Sequence, residues 1–400
     1  MIPLIRSVQI RNYKSIGQAS VTLEPLTVFV GPNGSGKSNF LDALSFLQEC
    51  LSESVELAFK NRGGITAVRR RSAGHPTHIG IRVTANLESH VVADYAFEIA
   101  ARPTEKFIIA RERCSIRHFF GSDYRYEVVE GEFVQNIPGI RAKMSSDRLA
   151  LFIASATEEF RPVYDFLSSM RSYSIVPGRL RELQGPDSGT HLKRDGSNAA
   201  AVLKVLRERA PERYERVCRL LAQVVEGLSR VEYRTLGIKE TLQFKQDVGL
   251  PHPWTFDALS MSDGTLRALG LLLAVYQQGH QSVVAIEEPE ATVHPAVADL
   301  IVEVLIDAAR ERQILVTTHS PDILDEKELK DDQIRVVTME QNRTLISPLA
   351  ESSREAIRSR LYTPGELLRS GELNPDVGAA ETAARQLNLF GQTHWGEVDD

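Results

Sequence analysis

The stretch Gly31-Pro32-Asn33-Gly34-Ser35-Gly36-Lys37-Ser38 has the form of a phosphate-binding loop, and its flanks fix how it folds. Upstream lies Leu26-Thr27-Val28-Phe29-Val30, an apolar run that reads as a buried strand. Downstream, Asn39 to Leu47 carries Phe40, Leu41, Leu44 and Leu47, which is the spacing of one helix face. A strand, a glycine-rich turn and a helix N-terminus together aim backbone N–H groups and a partial positive charge at a polyanion. The pattern predicts that Asn33, Gly34, Ser35, Gly36, Lys37, Ser38 and Asn39 cradle the phosphates of a nucleoside triphosphate such as ATP. Lys37 would reach the β- and γ-phosphates, and the Ser38 hydroxyl would bind Mg²⁺.

Composition narrows the remaining classes. The chain has 400 residues with 42% hydrophobic and 25% charged side chains, as expected for a soluble protein with an ample core. Its net charge of −6 offers nucleic acid no overall attraction, so such contact needs a local basic patch. The densest candidate is Arg69-Arg70-Arg71, with Arg62 nearby. Cys50, Cys114 and Cys218 stand far apart, without metal or redox spacing, which fits a reducing cytoplasm. Charge interrupts the first residues too early for a signal peptide. The longest apolar run, Ala268 to Tyr276, falls well short of the roughly 20 residues a bilayer requires. The expectation is a cytoplasmic protein without a membrane segment.

Short strands are predicted at Leu4–Ile10, Ala19–Leu23 and Leu26–Val30, and alternating, half-buried antiparallel strands from about 77 to 135. Helical spacing follows from about 145 to 227, clearest at Ala199–Arg209 and Pro211–Val225, with a polar loop at 178–197. Strands at Arg230–Leu236 and Thr241–Gln246 precede a helix at Asp263–Gln278. Next comes a strand–helix–strand unit: Ser282–Ile286, Pro295–Arg312 and Gln313–Thr317. That alternation implies a parallel sheet covered by helices. A last strand pair is expected near 334–338 and 343–347, and the tail after Asp376 reads as weakly structured.

Further motifs bear on chemistry. Val283-Val284-Ala285-Ile286-Glu287-Glu288-Pro289-Glu290 is an apolar strand ending in carboxylates. Its first acid, Glu287, is positioned for the Mg²⁺ sphere, and Glu288 for an attacking water as general base. Val316-Thr317-Thr318-His319-Ser320-Pro321 places His319 at the end of another strand, where it can reach the γ-phosphate or that water. Leu259-Ser260-Met261-Ser262-Asp263-Gly264-Thr265 marks a helix start, and Ser262 and Gly264 there form a second anion-binding end.

Together with Asn12-Tyr13-Lys14-Ser15-Ile16 and Asp195-Gly196-Ser197-Asn198-Ala199, these motifs resemble the ATP-binding-cassette type of ATPase head of SMC, RecF and overcoming-lysogenization-defect (OLD) proteins. Within that superfamily the chain is similar to the compact AAA family ATPases of bacterial defence loci. The resemblance implies an α/β P-loop NTPase of ABC-ATPase-head type, with a mixed sheet core, an antiparallel β lobe and an inserted helical region. Residues 1–60 and 255–350 would form the split nucleotide-binding core, 61–140 the β lobe, and 141–254 a mainly helical insert with returning strands. Residues 351–400 would add short helices and a tail.

The resemblance further implies that Lys37 and Ser38 hold phosphate and Mg²⁺, that Glu288 is the base, and that His319 is the switch histidine. Ser262 and Gly264 would touch the γ-phosphate bound by the opposite subunit, so that ATP bridges two heads in a homodimer or a higher oligomer. It assigns no glutamine-loop residue, and the roles of His294 and of Asp195 to Asn198 stay open. About 80 residues follow His319, too few for an OLD-type nuclease domain, so an effector such as a nuclease would be a separate protein. The rival readings are a RecF-like DNA-binding repair ATPase, a transporter's nucleotide-binding subunit and a small-molecule kinase. Asp263 in the signature argues against the transporter, and water activation by Glu288 and His319 argues against the kinase.

Overall fold

The computed structural model describes residues 2–391 apart from 73–75, 105, 136, 138–143, 250–251, 295–296 and 327. Three sheets organise it. The nucleotide sheet has six strands in the order β16-β15-β3-β14-β13-β9: Arg343–Ser347, Ile334–Glu340, Leu26–Val30, Gln313–Thr318, Val283–Glu287 and Arg171–Tyr173. All neighbours in it run parallel except β16, which returns antiparallel along β15. A second, antiparallel sheet has seven strands in the order β2-β1-β4-β5-β6-β7-β8: Ile16–Thr22, Leu4–Tyr13, His78–Glu88, Val91–Ala101, Phe107–His118, Tyr124–Val129 and Glu132–Gln135. A third joins β10, Leu228–Leu236, with β11, Lys239–Gln246, and β12, Trp254–Asp257.

The apolar run Leu26–Val30 is buried along its whole length because the sheet is covered on both faces. Phe29 enters one core, shared with the P-loop helix Lys37–Ser52 and the seven-stranded sheet. Val28 and Val30 enter the other, shared with helices Ala199–Arg209, Asp263–Tyr276 and Ala298–Ala309. β13 and β14 divide in the same way: Ala285 and Leu315 point to the first core, Ile286 and Val316 to the second. The P-loop helix therefore packs against both sheets, which explains why Phe46 and Ala43 are buried as well as the expected Phe40, Leu41, Leu44 and Leu47. Phe29 and Phe40 meet with ring centroids 4.7 Å apart, and Phe46 and Phe59 at 5.0 Å. Each such burial contributes about 1.5–3 kcal/mol, so the helix that carries the loop is rigidly held.

The predicted elements are present, with three differences. β1 and β2, expected in the core with residues 1–60, lie instead in the antiparallel sheet, where β1 pairs with both β2 and β4. β9, from the expected helical insert, forms the edge of the nucleotide sheet beside β13. The tail up to Gly391 is the third, its last residues lying outside the described ones. Val377–Arg385 is helical, Leu387 and Leu389 are buried, and Arg82 and Arg113 donate to the carbonyls of Asn388 and of Phe390 and Gly391. Buried guanidiniums need acceptors, and the tail backbone supplies them. Pro295, the expected start of the following helix, lies outside the described residues, and the helix runs from Ala298.

Candidate nucleotide site

Strand register brings the distant motifs to one edge. Val30 pairs with Thr318, and Thr317 pairs with both Phe29 and Glu287. The P-loop, Glu287-Glu288 and His319 therefore leave the C-terminal ends of adjacent parallel strands, where α/β sheets open a ligand crevice.

The loop itself is braced from behind. Thr344 on β16 donates through Oγ1 to the Ser35 carbonyl at 2.8 Å and shares a hydrogen bond with Ser15 Oγ at 2.7 Å. Asn39 Nδ2 donates to Ser15 Oγ at 2.6 Å, and its N–H donates to the Gly36 carbonyl. Asn39, expected as a nucleotide contact, is thus spent on holding the loop. Gly36 has φ +105, and a Cβ there would sit 2.0 Å from Thr344 Oγ1. Gly36→Ala is expected to lower the melting temperature by the equivalent of about 1–3 kcal/mol of backbone strain and to weaken nucleotide binding in calorimetry. Adding Thr344→Ala would remove the contacts with Oγ1 and Cγ2 but leave Cβ at 2.9 Å and the φ strained, so the double variant should recover only in part. An unchanged melting curve for the single variant would contradict this account.

Asn33 and Gly34 are exposed at the tip of the loop and Ser38 at the helix start, open to solvent. The Ser35 hydroxyl is buried and meets no partner. Lys37 is 4% exposed, and its Nζ donates to the Gly31 and Pro32 carbonyls at 2.8 and 3.1 Å. Burial lowers its pKa below the ordinary lysine value, while Glu288 and Glu290 pull it back up. A buried ammonium resting on loop carbonyls and an unpartnered hydroxyl behind the loop suit a polyanionic ligand.

Glu288 has φ +43, a left-handed conformation that turns the chain sharply off β13, and its N–H donates to the Thr317 carbonyl at 3.0 Å. Its Oε1 lies 3.5 Å from His319 Nδ1. Glu287 is 13% exposed at its side chain and accepts from Arg194 Nη2 at 2.6 Å. Glu290, to which the sequence reading gave no role, accepts from Thr318 Oγ1 and from the His319 N–H, joining the two strand ends. Its Oε2 is buried and meets no partner. Arg267 Nε, close to Glu288 and Glu290, is likewise buried without a partner.

Ser262 caps the helix Asp263–Tyr276, its Oγ accepting from Thr265 N at 3.1 Å, and both Ser262 and Asp263 are exposed. Gly264 lies against the Thr292 carbonyl, and Asp263 pairs with Arg181. The opening motif acquires a physical role. Tyr13 OH donates to Asp42 Oδ2 at 2.7 Å, and Lys14 and Arg62 pair with the same carboxylate on the P-loop helix. Arg62, with a side chain 6% exposed, is therefore withdrawn from the basic cluster. Arg70 is half-buried and donates to the Asn342 carbonyl, whereas Arg71 is exposed. Among the described residues, no helix is long and apolar enough to cross a membrane.

A family model described as "AAA domain, putative AbiEii toxin, Type IV TA system" matches residues 26–325. Among solved structures, the SmcHead bound to the C-winged helix domain of ScpA superimposes with a TM-score of 0.54 at 13% identity, covering 88% of this chain and 99% of that one. The Smc head domain with an extended coiled coil, bound to the C-terminal domain of ScpA and derived from Pyrococcus furiosus, gives 0.50 at 13% identity, covering 90% and 100%. At that identity the likeness establishes the fold, an SMC-type ATPase head. DNA replication and repair protein RecF of Phocaeicola vulgatus is 36% identical over 59 residues, which span 14% of this chain and 16% of that protein.

Proposed function

The chain belongs to the AAA domain family of the AbiEii type, with the fold of an SMC head, and we propose that it is an ATP-hydrolysing dimeric switch that controls a separate effector. The observation that carries this reading is the convergence of Lys37, Glu288 and His319 at one edge of the sheet, with Glu288 and His319 3.5 Å apart. In it Lys37 and the loop amides from Asn33 to Ser38 would neutralise the triphosphate, Ser38 and Glu287 would hold Mg²⁺, and Glu288 would take the proton of the attacking water. Bound Mg²⁺ would neutralise charge on the β- and γ-phosphates. His319 is held at its backbone by Glu290, which fixes where its ring can meet the γ-phosphate. Ser262, exposed at the start of its helix, would together with Gly264 complete the pocket of a second copy. A family description that names a toxin–antitoxin system fits a role exercised through another gene product, and anti-phage defence is the setting we infer.

Complementation tests the composite pocket. Ser262→Arg removes a helix cap, at a cost of about 1 kcal/mol, so it should still fold and bind ATP but fail to hydrolyse it. Lys37→Ala should fail as well. In a two-fold dimer the mixed pair puts both lesions in one pocket and leaves the other intact, so mixing the variants should restore part of the turnover. A Ser262→Arg protein that hydrolyses ATP normally as a monomer would leave a self-contained ATPase instead. The RecF segment supports a second reading, a DNA-stimulated repair ATPase. The engagement of Arg62 and Arg70 within the fold weakens the basic patch it would need, and DNA-stimulated turnover would revive it.

A further inference from the structure

A cation already rests on the acid that this reading gives to the metal. Arg194 Nη2 donates to Glu287 Oε1 at 2.6 Å, and Nη1 stands 3.8 Å from Asp42 Oδ1. Glu287 ends β13 and Asp42 lies on the P-loop helix, so one guanidinium spans the two elements that flank the proposed Mg²⁺ position. Asp42 is committed to Tyr13, Lys14 and Arg62, which leaves Glu287 as the close partner of Arg194. The two carboxylates are 13% and 8% exposed, whereas Arg194 is 47% exposed. The arginine thus reaches in from solvent and can leave by turning its own side chain.

What supports it is a built pedestal. The carbonyls of Arg194 and Asp195 accept from the N–H groups of Ser174 and Val176, just beyond β9. Asn198, 1% exposed, accepts from Lys193 N–H and donates to Asp187 and to the His191 carbonyl. Gly196 has φ +82, and a Cβ there would lie 2.5 Å from Leu180 Cδ1. The backbone of the Arg194 to Asn198 run is therefore fixed by its neighbours, and the Arg194 side chain is what it presents to the site.

We propose that Arg194 is a positioning residue that competes with Mg²⁺ for Glu287, so that metal uptake and release of Arg194 are a single exchange. The proposal rests on the reading of Glu287 as a metal-side acid. A fixed guanidinium keeps Glu287 paired, and so avoids an isolated carboxylate in a nearly buried position. It also raises the concentration of metal needed to claim that carboxylate.

The probe is Mn²⁺, counted by electron paramagnetic resonance in the presence of a non-hydrolysable ATP analogue, so that the readout is independent of turnover. Arg194→Ala should tighten apparent Mn²⁺ binding by about three- to tenfold, the scale of losing one charge-assisted pair. Arg194→Lys, which keeps the charge but not the fork geometry, should fall between. Arg179→Ala removes a nearby cation that pairs with Glu182 and Asp195, and should change nothing. Affinity for the analogue in EDTA should stay at the parent's value, which a general loss of loop order would not permit, while the melting temperature without metal should fall because Glu287 loses its partner. Unchanged or weaker Mn²⁺ binding by Arg194→Ala overturns the proposal, as does an equal gain in Arg179→Ala. A parent protein that binds the analogue with no metal dependence would instead overturn the metal-side reading of Glu287 and this inference with it.

Discussion

Glu288→Gln is expected to bind ATP as the parent does and to hydrolyse it about 100- to 10,000-fold more slowly, the range for loss of a positioned general base. The structure separates Glu288 from its two acidic neighbours by their partners. Glu287 is held by Arg194, and Glu290 is spent on Thr318 and the His319 N–H. Glu288 faces His319 instead, with a side chain 36% exposed, at the end of the strand next to the one whose register leads into the P-loop. The amide is close in size to the carboxylate and cannot accept the proton, so the substitution isolates the chemical step. A slowed variant should retain nucleotide and accumulate as a nucleotide-stabilised dimer, visible by light scattering. Turnover at the parent's rate would remove Glu288 from the role, and a larger loss in Glu290→Gln would reassign it.

Much of this arrangement was legible in the sequence because it depends on local signals. The P-loop, the apolar strands that end in Glu287-Glu288 and in Thr317-Thr318, and the Ser262 cap all announce themselves within about ten residues. Which motif lies beside which follows from strand order, and the parallel alternation pointed that way before the register confirmed the neighbours. What escaped depends on pairings across long stretches of chain. Three residues, Arg171–Tyr173, form an edge strand whose identity is set by β13, more than a hundred positions later. The Asp42 cluster draws on Tyr13, Lys14 and Arg62, none of which reveals a buried partner through local spacing. The Asp195 to Asn198 run was visible as a motif but silent about purpose, since its hydrogen bonds to Lys193 and to the segment after β9 show only in the folded chain. The tail read as loose because Leu387, Leu389 and Phe390 are too few to give a period. Its order comes from Arg82 and Arg113, close to three hundred positions upstream.

Lys37→Ala is expected to weaken ATP binding by about 2–4 kcal/mol, roughly 30- to 1,000-fold, because two charge-assisted contacts to phosphate are lost together. The present geometry shows how Lys37 and several nearby cations are engaged. Lys37 is 4% exposed, and its ammonium is carried on the Gly31 and Pro32 carbonyls, which hold it under the loop. Lys14, Arg62 and Arg194 are all committed to carboxylates, Asp42 among them. Burial favours the neutral amine, and Glu288 and Glu290 oppose that, so the charge is kept ready by the same acids that line the proposed catalytic edge. Lys37→Arg should fare little better, since the wider guanidinium does not fit a slot closed by loop carbonyls. Titration calorimetry with a non-hydrolysable analogue reads the affinity directly. The melting temperature checks that the loop survives, because Thr344, Ser15 and Asn39 brace it independently of Lys37. A Lys37→Ala protein with the parent's affinity would mean that the triphosphate is held elsewhere. The convergence of strand ends at this edge would then need another ligand.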